Sequence, residues 1–475
     1  MTPTTEQLSI LDAAAGTANL MINALAGTGK SATLKLIDRA NGVHPALYLV
    51  FNKRNQLEAI EAQKSGEFAP TTTIKTFNGL GHGIWANSIA HPICLEKGKT
   101  RLLWREMVEG MDRSDANDAW RVYQVVMDGI EKAKAHGYVP SDVKVAKGLC
   151  TRDELISHID EDPNEYAKEL IDQLLRESIR RSYLGLIDFN DQIYMPALFG
   201  GAFPKFPRIM VDEYQDQSPI NHALLARLVK GRLIGVGDPF QNIYGFRGAK
   251  SGGMASAVEA YSMTELPLSV SFRCPQAIVE EARWRVPHFQ WSKPGGKVTL
   301  LEGTVDGPST FGDDATIICR NNAPLLRMAF RLLSAGHSVS VVGSELGPRL
   351  TAIMKKLGPN DMKKAQVIQE IESWREEKLA ANSKSASDLA DCMRVFADHG
   401  HDLGQMVSYA EHLFAQQGSI KLLTGHKSKG LEFDNVFWLD PELCDHREQD
   451  RNLAYVITTR SQNKLTMLDS SQILW

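Results

Sequence analysis

The sequence has no pair of cysteines spaced C-x-x-C. Its six cysteines, Cys94, Cys150, Cys274, Cys319, Cys392 and Cys444, are scattered along 475 residues. That distribution argues against a zinc ribbon, an iron–sulfur cluster or a disulfide framework, and fits a reduced, intracellular setting. Also missing is any run of roughly 18 consecutive apolar residues, the minimum for a membrane span. The opening "MTPTTEQLSILDAAAG" has no basic region followed by an apolar stretch, so neither a secretory leader nor a membrane partner is expected and the protein is read as cytoplasmic. Charge of one sign is not in excess: 53 Lys and Arg stand against 57 Asp and Glu, a net −4. A polyanion would therefore have to be met by a local basic groove.

What is present is alternation. "NLMINALAGTGKSATLKLIDRA" reads as an apolar strand, a Gly-rich turn and an amphipathic helix, and "ALYLVFNKRNQLEAI" repeats strand then helix. "FPRIMVDEYQD", "RLIGVGDPFQ", "ATIICRNNAPLLRMAFRLL" and "NVFWLD" are further strand-like runs with polar residues at their ends. Such alternation predicts parallel sheets with ligand crevices at the carboxyl edges of the strands. The intervening stretches from about Trp85 to Leu184 and from Glu345 to Gln417 are charged and helical, without β-type runs.

In "ALAGTGKS" (Ala24–Ser31) a Gly-rich loop precedes a helix, and its backbone N–H groups suit phosphate. Gly27, Thr28 and Gly29 form the cradle, Lys30 is placed for the β/γ-phosphates and Ser31 for Mg²⁺. The general pattern starts on glycine where this one has Ala24. In "VDEYQD", Asp212 and Glu213 close an apolar strand, one carboxylate suited to Mg²⁺ and its neighbour to polarising water. "VGDPFQNIYGFRGA" adds Gln241 and Arg247, suited to sensing a γ-phosphate, and Tyr244 and Phe246, which are either base-stacking aromatics or core residues.

Taken in order from Gln7 to Arg460, these segments resemble the UvrD/Rep family of superfamily 1A DNA helicases. The resemblance implies an α/β fold of two RecA-like parallel-sheet domains, a P-loop NTPase, with helical subdomains inserted. The implied division is 1–84 and 185–266 for the first RecA-like domain and 85–184 for its helical insertion. For the second domain it is 267–344 and 418–475, with a short insertion at 345–417. Ala24 agrees with the family's own spelling of the loop.

By resemblance Gln7 reads adenine. "LVFNKRNQ" contributes Asn52 and Lys53 toward DNA, and "TIKTFNGLGHGI" contributes Thr76, Phe77 and Asn78, with Asn78 where the family usually has His. Phe77 is either a stacking residue or a core aromatic. In "LSVSFRCP", Arg273 is implied at the γ-phosphate and Phe272 on the adenine. "ICRNN" supplies Arg320, near the DNA path or an ordinary surface arginine. "LLTGHKSKGLEFDNVF" places Glu432 on the ribose hydroxyl, with His426 and Lys427 toward DNA and phosphate. "NLAYVITTRSQNKL" makes Arg460 an arginine finger, with Tyr455 packing beside it. "LIDFNDQI" echoes an acidic segment of the family, with Asn190 where Asp is frequent.

The resemblance thus implies an ATP- and Mg²⁺-dependent helicase whose two domains share one nucleotide. It would move 3′ to 5′ on single-stranded DNA as a monomer and act at single/double-strand junctions. Protein partners in repair, replication or recombination are implied, in a nucleoid-associated setting or in a host cytoplasm if phage-encoded. The 345–417 insertion holds only about seventy residues, shorter than in larger relatives, and the chain stops soon after Arg460. A nucleotide-gated clamp or protein-displacing translocase with little unwinding is the alternative.

Overall fold

The structure, a computed structural model, describes residues 3–40, 42, 44–243, 245, 252–305, 307–312, 314–343 and 345–475. Tyr244, Phe246 and Arg247 lie outside the described residues. The chain divides into two compact units, Met1–Leu25 with Gly29–Leu268, and Ala26–Thr28 with Ser269–Trp475.

In the first unit the strands are β1 (Leu20–Ala24), β2 (Ala46–Val50), β3 (Thr72–Thr76), the short β4 (Cys94–Leu95) and β5 (Leu186–Ile187), β6 (Arg208–Val211), β7 (Arg232–Gly237) and β8 (Thr264–Leu268). Six of them form one sheet in the order β3-β2-β6-β7-β1-β8, every pair parallel. The sequence dictates this locally: "ALYLV" and "RIMV" are buried at every position, as a parallel strand covered on both faces requires. Because the strands run the same way, the carboxyl ends of β1, β6 and β7 emerge at one edge. The loops carrying the phosphate cradle, Asp212 and Asp238 start there.

One face of this sheet packs Ile22, Tyr48 and Ile234 on Ile10, Leu34 and Ile37. The other is continuous with the core of the helices Lys99–Glu109, Arg113–Arg121, Tyr123–His136, Arg152–His158 and Glu165–Tyr183, through residues such as Leu49, Trp104, Ile130 and Leu174. The last of these helices starts where the Asn164 side chain accepts from the Ala167 N–H (2.8 Å), a cap of the ordinary kind. Its buried residues Ala167, Leu170, Ile171, Leu174, Leu175 and Ile179 then recur at three- and four-residue spacing, a single apolar stripe.

The second unit contains β9 (Val270–Pro275) paired with β10 (Gln290–Lys293), then β11 (Lys297–Leu300), β12 (Thr316–Cys319), β13 (Val339–Val341), β14 (Ile420–Thr424), β15 (Phe433–Leu439) and β16 (Ser461–Leu468). Six form a second parallel sheet, β11-β16-β15-β12-β14-β13. Four helices, Leu346–Leu357, Lys364–Ala380, Ala386–His399 and Leu403–Ala415, lie between β13 and β14 in sequence. They bury Leu350, Met354, Ile371, Phe396 and Met406 in the same core as Ile317 and Leu422. The fold is α/β with two RecA-like parallel-sheet domains, as expected. Among the described residues no helix is long and apolar enough to cross a membrane.

Candidate functional site

Ala24 is the last residue of β1 and is fully buried. It belongs to the wall of the sheet, and the loop proper begins after it. Gly27 and Gly29 have φ of +70° and +82°, a region that costs any side chain with a Cβ. At Gly27 a Cβ would also come within 2.4 Å of the Arg273 Cβ. The loop crown, Ala26–Thr28, is held within the second unit: Ala26 N–H donates to the Tyr455 hydroxyl (3.0 Å), Ser271 Oγ donates to the Ala26 carbonyl (2.9 Å), and Phe272 N–H donates to the Gly27 carbonyl (2.9 Å). Thr28 is buried.

Lys30 and Ser31 open the helix that follows, and β6 delivers the carboxylates to them. Ser31 Oγ donates to Asp212 Oδ2 (3.1 Å), and Lys30 Nζ lies 3.9 Å from Glu213 Oε2. Glu213 adopts φ 47° and ψ 49°, a left-handed conformation unusual for a side chain with a Cβ and often found where function demands it. Burial, and next the neighbouring Glu213 charge, push the Asp212 carboxyl above its ordinary value, opposed by Tyr48 and Lys30. A buried carboxylate so placed is relieved by a cation. With the Ser31 hydroxyl it offers two hard oxygens of the kind that could hold Mg²⁺.

Three residues around these carboxylates were missed in the sequence. Tyr48 donates to Asp212 Oδ2 (2.8 Å), and a hydrogen bond to a charged group contributes about 1.5–3 kcal/mol. Gln215 spans two acids: its Nε2 donates to Glu213 Oε2 (2.7 Å) while its Oε1 accepts from the Asp238 N–H (3.0 Å). Asp238, fully buried and pushed upward in pKa by that burial, accepts from Gln241 Nε2 (2.7 Å) and from the Phe240 N–H (3.0 Å). Asp238 carried a signal, an acid closing an apolar strand as Asp212 does. Tyr48 looked like one more apolar strand residue. Gln7 is buried, with Nε2 donating to Thr33 Oγ1 (3.0 Å) and Oε1 accepting from the Thr4 N–H (3.0 Å) in a capping box.

In the second unit, Arg273 forms an ion pair with Glu432, whose other oxygen accepts from Gln462 Nε2 (2.6 Å). Arg273 Nε is buried without a hydrogen-bond partner, an orphan donor that an incoming anion would satisfy. Arg460 is 1% exposed. Its guanidinium donates to the carbonyls of Val456 (2.9 Å) and Leu431 (3.0 Å) and to Thr459 Oγ1 (3.3 Å). Burial, then the nearby Arg273 charge, pull its pKa down to about 10. The structure therefore holds this residue internally bonded. Phe272 is half-buried beside Arg273.

Among the described residues read as DNA contacts, most have structural employment. Phe77 is 4% exposed and sits in the core of the first unit, the packing that the core alternative expects. Thr76 Oγ1 caps a helix by accepting from the Gly79 N–H (3.0 Å), and Asn52 Oδ1 does the same for Asn55 (2.9 Å). Lys53 donates to Gln56 Oε1 (2.9 Å), and Asn78 Nδ2 to the Phe189 carbonyl (2.7 Å). Arg320 pairs with Asp450 (2.7 Å). His426 is half-buried in the one-turn helix Gly425–Ser428.

Residues 4–262 match the UvrD/REP helicase N-terminal domain, more than half of the chain. The chain belongs to the UvrD/Rep helicase family. Residues 419–468 of this UvrD/Rep chain further match the UvrD-like helicase C-terminal domain. It is 24% identical over 325 residues to F-box DNA helicase protein 1 of Schizosaccharomyces pombe, covering 57% of this chain and 35% of that one. It is 24% identical over 316 residues to the Gabija protein GajB of Bacillus cereus (56% and 64%), and 25% identical over 298 residues to the ATP-dependent DNA helicase UvrD1 of Mycobacterium tuberculosis (55% and 36%). The matches thus span about a third to just under two thirds of these relatives' lengths. A solved arterivirus helicase–DNA complex aligns over 98% of this chain and 63% of that one at 14% identity and a TM-score of 0.36, too loosely to place residues.

Proposed function

We propose that this chain is an ATP-dependent DNA helicase or translocase that moves 3′ to 5′ on single-stranded DNA. The observation that carries the reading is the Ser31 hydroxyl meeting the Asp212 carboxylate at 3.1 Å, with Lys30 beside Glu213, on the segments that the family resemblance assigns to ATP. In this reading Gly27, Thr28, Gly29 and Lys30 hold the phosphates, and Ser31 and Asp212 hold Mg²⁺, which supplies charge neutralisation on the phosphate oxygens. Glu213 takes the proton of the attacking water. Gln215, by its bond to Glu213, holds that carboxylate in place, and Gln241 follows the γ-phosphate from its tie to Asp238.

The family resemblance assigns Arg273, Glu432 and Arg460 to the same cycle, with Phe272 on the base and Gln7 reading its edge. Arg460 would have to surrender its carbonyl partners to reach charge on the transferring phosphoryl. That coupling of local rearrangement to turnover is how such motors gate hydrolysis. Asn52, Lys53, Thr76, Asn78, Arg320 and His426 remain the proposed DNA contacts. The segments 85–184 and 345–417 are read as helical insertions into the two α/β domains.

The test is ATP turnover with and without single-stranded DNA, followed by strand separation on duplexes bearing a 3′ tail, a 5′ tail or none. A large rise in turnover on adding single strands and preferential opening of the 3′-tailed duplex are expected. Turnover indifferent to nucleic acid, or preference for the 5′ tail, would overturn the reading.

A further inference from the structure

The helix Thr5–Ala15, which carries Gln7, is weakly anchored by its own sequence. "TEQLSILDAAA" buries only Gln7, Ile10 and Ala14, leaves Leu8 exposed, and has no basic residue in its last turn. The last four carbonyls of a helix have no partner within it, and they favour a cation. Here the cation comes from 218 residues along the chain. Arg232, the first residue of β7, donates from Nη2 to the Ala13 carbonyl (2.9 Å), from Nη1 to the Ala14 carbonyl (2.5 Å) and from Nε to the Ala18 carbonyl (2.6 Å). The guanidinium is thus directed at one helix end and at the link from that helix into β1, and among the described residues it has no carboxylate partner.

At the other end of the helix, two neighbours set the Gln7 amide. Its Oε1 accepts from the Thr4 N–H and its Nε2 donates to Thr33 Oγ1, whose own hydrogen is committed to the Gly29 carbonyl (3.0 Å). Turning the amide over would set donor against donor at Thr4 and acceptor against acceptor at Thr33, so its orientation is fixed. One amide N–H and one lone pair are left uncommitted among the described residues. Adenine offers the complement, an N7 acceptor beside an N6 donor, whereas guanine presents N7 and O6, both acceptors.

We propose that Arg232 is a positioning residue for nucleotide choice: by pinning the far end of the Gln7 helix, it holds the amide where adenine is favoured over guanine. The inference rests on the proposed ATP reading, in which Gln7 meets the base. Arg232, Gln7 and Thr33 all belong to the first unit. Without the Arg232 clamp the helix keeps only the Gln7–Thr33 bond and a short apolar stripe, and a displacement of about 1 Å is enough to spoil a well-placed contact.

The experiment measures kcat and KM of the full chain with ATP and with GTP. Its readout is the ATP/GTP ratio of kcat/KM, which an unfolded fraction of the sample leaves unchanged. Gln7→Ala should lower that ratio by about tenfold, within the range that a bidentate amide–adenine pair contributes. Arg232→Ala should lower it by about fivefold, through a raised KM for ATP with kcat held within about twofold, the pattern of a lost binding contact. In a Gln7→Ala background Arg232→Ala should change the ratio no further, because it acts through Gln7. If Arg232→Ala does not fold, Arg232→Gln, which keeps a donor for the carbonyls without the charge, takes its place in both comparisons. A ratio within about twofold of wild type in the Arg232 variant, or an equal fall in the Gln7→Ala background, overturns this inference alone. A wild-type chain that treats ATP and GTP alike, or a Gln7→Ala chain that keeps the wild-type preference, overturns the adenine role of Gln7 and this inference with it.

Discussion

The two sheets share one plan, six parallel strands each, but the two units differ in how their candidate residues are partnered. In the first unit the ends of β6 and β7 present Asp212, Glu213 and Asp238, and the strand residue Tyr48 and the linking Gln215 hold them by hydrogen bonds. In the second, the candidate residues are Arg273 in β9, Arg320 after β12 and Arg460 before β16. The acids sit in a finished network. The arginines are provisional, one with a buried orphan nitrogen and one bonded to main-chain carbonyls. On the proposed reading the first unit supplies the metal and base residues, and the second supplies arginines that are already paired or internally bonded.

That contrast is broken most sharply at Arg460. An Arg460→Lys chain keeps the charge and loses the planar fork; if the residue serves the phosphoryl group, turnover at saturating DNA falls by about 10³-fold or more. If it is only a structural donor to Val456 and Leu431, the melting midpoint drops while turnover per folded molecule holds, so thermal melting and steady-state kinetics together decide. Next in size, Glu213→Gln should lower turnover by about 10²–10⁴-fold, the range for losing a general base. Nucleotide affinity should be retained, as measured by binding of a fluorescent ATP analogue. Loss of affinity with turnover preserved would make Glu213 part of the cradle instead.

The smallest effect separates packing from DNA binding. Phe77→Leu, a buried hydrophobic exchange, should cost less than about 1.5 kcal/mol in a denaturant titration and leave affinity for single strands within twofold. A tenfold loss of affinity at unchanged stability would restore the stacking role that its burial argues against.

The acid and loop residues were legible because their chemistry is local: a glycine turn before a helix, an acid pair closing an apolar strand. The fold class was legible because continuous apolar runs alternating with amphipathic helices leave few other arrangements. Tyr48 was not legible, since a tyrosine in a fully buried strand advertises packing until a carboxylate is found 2.8 Å from its hydroxyl. Nor were the partners of Lys99 and Lys134, which lie 92 and 54 residues away in the chain at Asp191 and Asp188.

By itself, then, the sequence determined the strand–helix alternation, the order of the motifs and the family they spell, because each depends on residues within about one turn or one strand of each other. Only the tertiary structure decided which polar side chains are occupied. Asn52, Thr76 and Gln7 cap helices, Phe77 fills core, Arg460 turns inward, and two lysines are buried to hold one turn. Those outcomes depend on which distant groups the fold brings within hydrogen-bonding reach, and a burial penalty is settled only once the fold has chosen the neighbours.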